Sequence, residues 1–291
     1  MGTSDGQVLG VTRIVEAGPP ERRWNVVIVS EGYRSDEMAQ FAIDAKEFAD
    51  ALFAAAPFDR LRAAINIYRV DVTSIESGAK DPKKCDGGTG AKPRTYFDAS
   101  FCSNGIRRLL IGNNGRVTKV VSKLVPQWHM AFLAVNSLIS GGSGGAVATF
   151  SKAPGAVEIA IHEMGHTAFG LADEYEYYSG CASDKGHDKH SKSEPSQPNI
   201  TTNKNRATTK WRNLIQATTP VPTTSNANCK NCDPQPSPVA VGTVGLFEGA
   251  DYFHCGVYRP EFDCRMRNIN RPFCGVCQQV IVNKLTPFLP Q

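Results

Sequence analysis

Apolar residues along the chain fall into short blocks of two kinds. Residues 24–30, WNVVIVS, form a compact run rich in β-branched side chains, which predicts a buried strand ending at the Glu31-Gly32 turn. Residues 36–56 instead place Met38, Phe41, Ala45, Phe48 and Leu52 at alternating spacings of three and four, the stripe of an amphipathic helix that must stop before Pro57. Residues 65–72 read as a second strand and the polar, glycine-rich stretch 73–94 as a surface loop, so the chain starts with a strand–helix–strand unit. A helix is expected around 105–124 and a strand over 129–136, HMAFLAVN, followed by the glycine-rich SGGSGGAVATF. Ser151 and Pro154 then supply start signals for a helix whose core-facing stripe is Val157, Ile161, Met164, Ala168 and Leu171, ending near Gly170. Residues 179–238 are dominated by Ser, Thr, Asn, Lys and Pro and predict little regular structure. Apolar runs return at 239–247, and a last helical segment is expected at 276–285. This pattern reads as a mixed α/β (α+β) protein in two parts, 1–178 with the sheet and the apolar helix and 179–291 loop-rich, working as one unit.

Composition narrows the class. With 291 residues, 41% hydrophobic and 21% charged, with 26 Gly and 18 Pro, the chain is globular and rich in loops. A net charge of +4 is dispersed without a run of basic residues, which argues against nucleic acid or a membrane surface as partner. No stretch approaches the ~20 apolar residues that a membrane-spanning helix needs. Nine cysteines are many for a reduced cytosolic protein and point to disulfides or a metal cluster. The expectation is a secreted or periplasmic protein. Because MGTSDGQVLGVTRIV has neither a basic start nor a long apolar core, its signal peptide would lie outside this sequence.

Candidate chemistry sits in the apolar helix. His162 and His166 are four residues apart, so both imidazoles leave one helix face and can bind one Zn2+ at about 2.1 Å. Glu163, beside the first of them, can accept a proton from the attacking water and pass it to the leaving amine. This is the HExxH logic of metallopeptidases, and an unpartnered Glu and two His within AVEIAIHEMGHTAFGLA would be costly to bury without a metal. A third ligand is required, and Asp173 is the choice. Gly170 can take a left-handed turn that swings a side chain three residues on back toward the metal. Glu174 and Glu176 compete for that role.

HEMGHTAFGLADEY resembles the HExxHxxxGLxDEY signature of the IgA-peptidase family of zinc metalloendopeptidases, a metzincin-like branch of the zincins. VVIVSEGY, APFDRLRAAINIYRVDVTSIESG and NSLISGGSGGAVATF follow in similar order and wording, and CRMRNI looks like a Met-turn. The resemblance implies a zincin-type mixed twisted sheet with an active-site helix and a loop-rich C-terminal part. It further implies His162, His166 and Asp173 as zinc ligands, Glu163 as general base and Met266 beneath the metal. The commoner metzincin pattern, HExxHxxGxxH, sets its glycine and third ligand one residue earlier, where this chain has Phe169 and Ala172. Asn268 stands where some metzincins place a tyrosine, so no oxyanion donor besides zinc is assigned.

Gly144 and Gly145, just before the motif helix, are candidates for an edge that pairs with substrate backbone; a flexible connection is the alternative. Cys229-x-x-Cys232 and Cys274-x-x-Cys277 could form a four-thiolate zinc site, but Cys85, Cys102, Cys181, Cys255 and Cys264 favour disulfides, with at least one cysteine left over. The leading function is a secreted zinc endopeptidase acting on a protein or peptide. The alternative is a non-catalytic peptide- or glycan-binding module on the same fold, which an intact Glu163 disfavours.

Overall fold

The structure, a computed structural model, describes residues 5–177, 187–232 and 236–290. Their contacts divide the chain into two compact units, one containing the described residues up to Ala168 together with those from Leu285 on, the other running from Phe169 to Lys284.

The first unit is built on a six-stranded mixed sheet. Its strands are β1 (Gly6–Val15), β2 (Trp24–Glu31), β3 (Ile65–Ser74), β4 (Met130–Val135), β5 (Gly142–Ser143) and β6 (Ala148–Ser151), in the order β1-β3-β2-β4-β6-β5. The four central strands run parallel, while β1 and β5 pair antiparallel at the two edges. Every residue of β2 and β4 is buried. That explains their uninterrupted apolar runs, since a central parallel strand is covered on both faces. On one face Val27, Val29, Ala131 and Leu133 pack with Val117 and Val121 of α2 (Asn114–Leu124). On the other, Phe132 and Phe150 meet Phe48 of α1 (Met38–Ala54), with ring centroids 4.6 and 5.3 Å from Phe48. The strand–helix–strand reading is therefore realised as the parallel pair β2–β3 joined through α1.

One strand was not foreseen, and one expectation needs correction. The strand β1 has half-buried positions alternating with exposed ones over much of its length, a pattern the sequence reading left unassigned. Nor is residue 105–113 helical. Ile111 bridges to Ser100 and Leu109 to Gly142, so this backbone is drawn into sheet-like pairing. The helix begins only where the Asn113 side chain accepts the Arg116 N–H at 3.0 Å as an N-cap.

The helix α3 (Ala156–Phe169) ends one residue before Gly170, whose φ of +64° closes it as expected of a C′ glycine. Its buried side reads Ala156, Ala160, Ile161 and Met164, while Val157 and Ala168 are half-buried, so the stripe is turned slightly from the predicted one.

In the second unit a three-stranded sheet has the order β7-β9-β8, from β7 (His187–Lys189), β8 (Phe247–Ala250) and β9 (Phe253–Arg259). The hairpin β8–β9, which no sequence pattern had suggested, turns on Asp251 and Tyr252, both at positive φ (51° and 66°), as a two-residue type I′ turn demands. The final helix α4 (Gly275–Leu285) matches the predicted one within a residue. Of the stretch expected to be irregular, 179–186 and 233–235 lie outside the described residues, as does Cys181. The rest carries β7 and a 3-10 turn at Arg212–Leu214 and is anchored by buried Asn199, Ile200 and Trp211. Disulfides Cys85–Cys102 and Cys229–Cys255 are formed, and Cys232 is also disulfide-bonded. The four-thiolate alternative from the two CxxC pairs is thereby excluded.

Glu194 pins this stretch. It accepts hydrogen bonds from the Thr201 hydroxyl (2.7 Å), the Thr202 hydroxyl (2.7 Å) and the Thr202 N–H (2.8 Å), and lies 3.0 Å from the Lys210 ammonium. Burial opposes its ionisation, but these partners outweigh it and hold the carboxyl down at about 2. A depressed acid stabilises the fold fully above its ordinary value of 4.5 and loses that contribution as pH falls toward 2. Glu194→Gln is expected to flatten acid unfolding in that window, as followed by circular dichroism.

No described helix is long and apolar enough to cross a membrane.

Candidate metal centre

Helical periodicity sets the first part of the site. His162 and His166 lie one turn apart on α3, and their Nε2 atoms face each other at 3.1 Å with ring planes at 88°. Two imidazole nitrogens this close can converge on one cation. Two ligands held at about 2.1 Å on a tetrahedral ion stand about 3.4 Å apart, so a single metal ion can bridge the pair. His162 is buried, and Glu163 and His166 are half-buried.

Gly144 lies one residue beyond β5 and beside this pair. A β-carbon there would stand 2.8 Å from Glu163 Oε2 and 3.4 Å from His166 Cβ, so only glycine leaves the Glu163 carboxylate its present position. The outer edge of β5 at Gly142 is already paired with the 108–110 segment. Gly144 and Gly145 extend past that cover, with the Gly145 N–H donating to Thr167 Oγ1 at 3.2 Å.

The second unit orders the acidic segment that follows α3. The Asp173 side chain is buried, its Oδ2 accepts the Tyr252 hydroxyl, and its carbonyl accepts the Asp251 N–H at 3.1 Å. Tyr252 N–H donates to the Tyr175 carbonyl at 3.0 Å, so the two left-handed residues of the β8–β9 turn are held by residues 173–175. Burial, followed by the charge of Asp173 beside it, pushes the Tyr252 phenol above its ordinary range and keeps it a donor. Tyr252 was not found from sequence, because the contact spans 79 residues and sits on a turn without the usual Asn-Gly signature.

The competitors of Asp173 are engaged elsewhere. Glu176 receives two hydrogen bonds from Arg267, at 3.0 and 3.2 Å, and lies 3.9 Å from Arg259. Burial opposes its charge, but these two guanidiniums hold its carboxyl below the ordinary value. Glu174 is fully buried. Its Oε1 accepts from Asn199 Nδ2 at 2.9 Å and from the Cys277 thiol at 3.3 Å, and burial raises its carboxyl well above the usual range. Asn199, also unforeseen, grips both the N–H and the carbonyl of Ala172.

Met266 is fully buried in a tight turn in which the N–H groups of Arg267 and Asn268 both return to the Cys264 carbonyl, at 2.9 and 2.8 Å. Its own carbonyl accepts the Glu174 N–H at 2.8 Å, which ties this turn to the segment carrying Asp173.

The sequence model of the family described as IgA peptidase M64 matches residues 12–232 and 235–285. No curated protein matches the chain.

Proposed function

Because the chain belongs to the IgA peptidase M64 family and is thus a peptidase, we propose that it is a secreted zinc endopeptidase of the zincin type. The observation that carries this reading is the 3.1 Å pairing of His162 and His166 Nε2 on α3 with Glu163 between them. His162 and His166 would hold the metal together with Asp173, which follows α3 shortly after the Gly170 turn. When bound, zinc supplies Lewis acidity, polarising the scissile carbonyl and letting water attack near neutral pH. Glu163 takes the proton of that water and delivers it to the departing amine. Met266 would form the Met-turn, and the backbone at half-buried Gly144 and exposed Gly145 would align the substrate chain beside Glu163. The formed disulfides fit an extracellular or periplasmic setting. The substrate is a protein or peptide whose identity rests on pocket loops, and the family's name does not by itself assign immunoglobulin A.

The test is hydrolysis of a mixed peptide pool before and after chelation. Cleavage at internal bonds, lost with chelator and restored by Zn2+, is expected; cleavage indifferent to chelation would contradict the proposal.

Two further outcomes follow from the geometry. Gly144→Ala should crowd Glu163 and lower kcat by about ten- to a hundredfold with metal content unchanged, since small misplacements of reacting groups have effects of that order. Tyr252→Phe removes the hydrogen bond that orients Asp173 and should weaken zinc binding about ten- to a hundredfold, as read by competition with a chromogenic chelator.

A further inference from the structure

The second unit brings together a cluster that the proposed peptidase chemistry does not use. Cys264, Cys274 and Cys277 are all buried and carry no disulfide, although Cys85–Cys102 and Cys229–Cys255 are formed in the same chain. With the fully buried Glu174, their ligand atoms all lie within 4.8 Å of one another. We propose that Cys264, Cys274, Cys277 and Glu174 bind a structural divalent metal, zinc by preference, at a site sharing no ligand with His162 and His166.

Several features fit that assignment. Cys264 and Cys277 Sγ are 3.8 Å apart, the separation of two thiolates at about 2.3 Å on a tetrahedral zinc. Cys274 and Cys277 form a Cys-x-x-Cys at the start of α4, where the Cys277 N–H points at Cys274 Sγ (3.4 Å) and the Cys274 N–H at Cys264 Sγ (3.3 Å). Such N–H···S bonds and the helix N-terminus both favour ionised sulfur. Glu174 Oε2 is a buried oxygen with no hydrogen-bond partner among the described residues, a costly state that a cation relieves. Its other oxygen is oriented by Asn199, as metal-ligating carboxylates commonly are. A disulfide between any two of the three cysteines would leave a lone thiol beside this buried acid.

The site has a mechanical consequence. Cys264 stands two residues before Met266, and Glu174 directly follows Asp173. A metal shared by Cys264 and Glu174 therefore clamps the 264–268 turn onto the segment that presents Asp173, reinforcing the Glu174 N–H to Met266 carbonyl bond. Redox state then matters, because oxidation of these thiols would release the metal.

Zinc-edge X-ray absorption on the wild-type protein tests this without any mutation. A sulfur shell at about 2.3 Å is expected, alongside nitrogen and oxygen ligands nearer 2.0 to 2.1 Å; nitrogen and oxygen scatterers alone would overturn it. Cobalt titration of the chelated protein should give thiolate-to-metal charge-transfer absorption that is lost in Cys274→Ser/Cys277→Ser and kept in His162→Ala. Loss of that absorption in His162→Ala alone, or a disulfide among these three cysteines in unreduced peptide mapping, would also overturn the assignment. Because the sulfur signal is read independently of hydrolysis, it stands or falls apart from the peptidase proposal.

Discussion

Glu163→Gln is expected to lower kcat for peptide hydrolysis by about a hundred- to ten-thousandfold, the range that a positioned general base contributes. The substitution keeps the size of the side chain and the half-buried place on α3, so the fold and the metal at His162 and His166 should be retained. Steady-state kinetics on a fluorogenic peptide, paired with metal analysis, reads both quantities. Activity within about threefold of wild type would remove Glu163 from the chemistry, since loss of a base costs at least about a hundredfold. Activity absent from the wild-type protein as well, with peptide binding unchanged in the variant, would instead favour the non-catalytic module.

The second large effect concerns the support of the motif helix. Phe48 of α1 is fully buried, and its ring meets both Phe132 of β4 and Phe150 of β6. Because β6 leads directly into α3, this aromatic cluster fixes the strand from which the motif helix departs. Phe48→Ala should cost about 3–5 kcal/mol, from lost burial and the cavity left among three rings. Urea unfolding monitored by fluorescence measures it, and Phe48→Leu, which refills much of the space, should cost clearly less. A loss under about 1 kcal/mol would mean that the cluster repacks around the hole.

The parts legible in the sequence were those encoded locally. The β-branched run at 24–30, the three-and-four spacing around Phe48 and the HExxH stripe each declare their element within a few residues, and each element is present. What was missed depends on distant partners. The 105–113 stretch has helical composition, but pairing with Ser100 and Gly142 claims its backbone. The β8–β9 hairpin turns on Asp251-Tyr252 in left-handed conformations that residues 173–175 stabilise from far along the chain. The cysteines show the same limit most plainly. Their number suggested disulfides and their CxxC spacing suggested a metal, and the chain divides between the two, with Cys229 oxidised and Cys274 and Cys277 reduced beside Glu174. Nothing in the spacing says that an acid nearly a hundred positions earlier joins them.

The most direct test of the central claim is zinc stoichiometry of purified wild-type protein compared with His162→Ala and Asp173→Ala, measured on the same samples as peptide hydrolysis. The account predicts that each variant loses one zinc equivalent relative to wild type and loses hydrolysis with it. Zinc content unchanged in both variants, with hydrolysis intact, would contradict it.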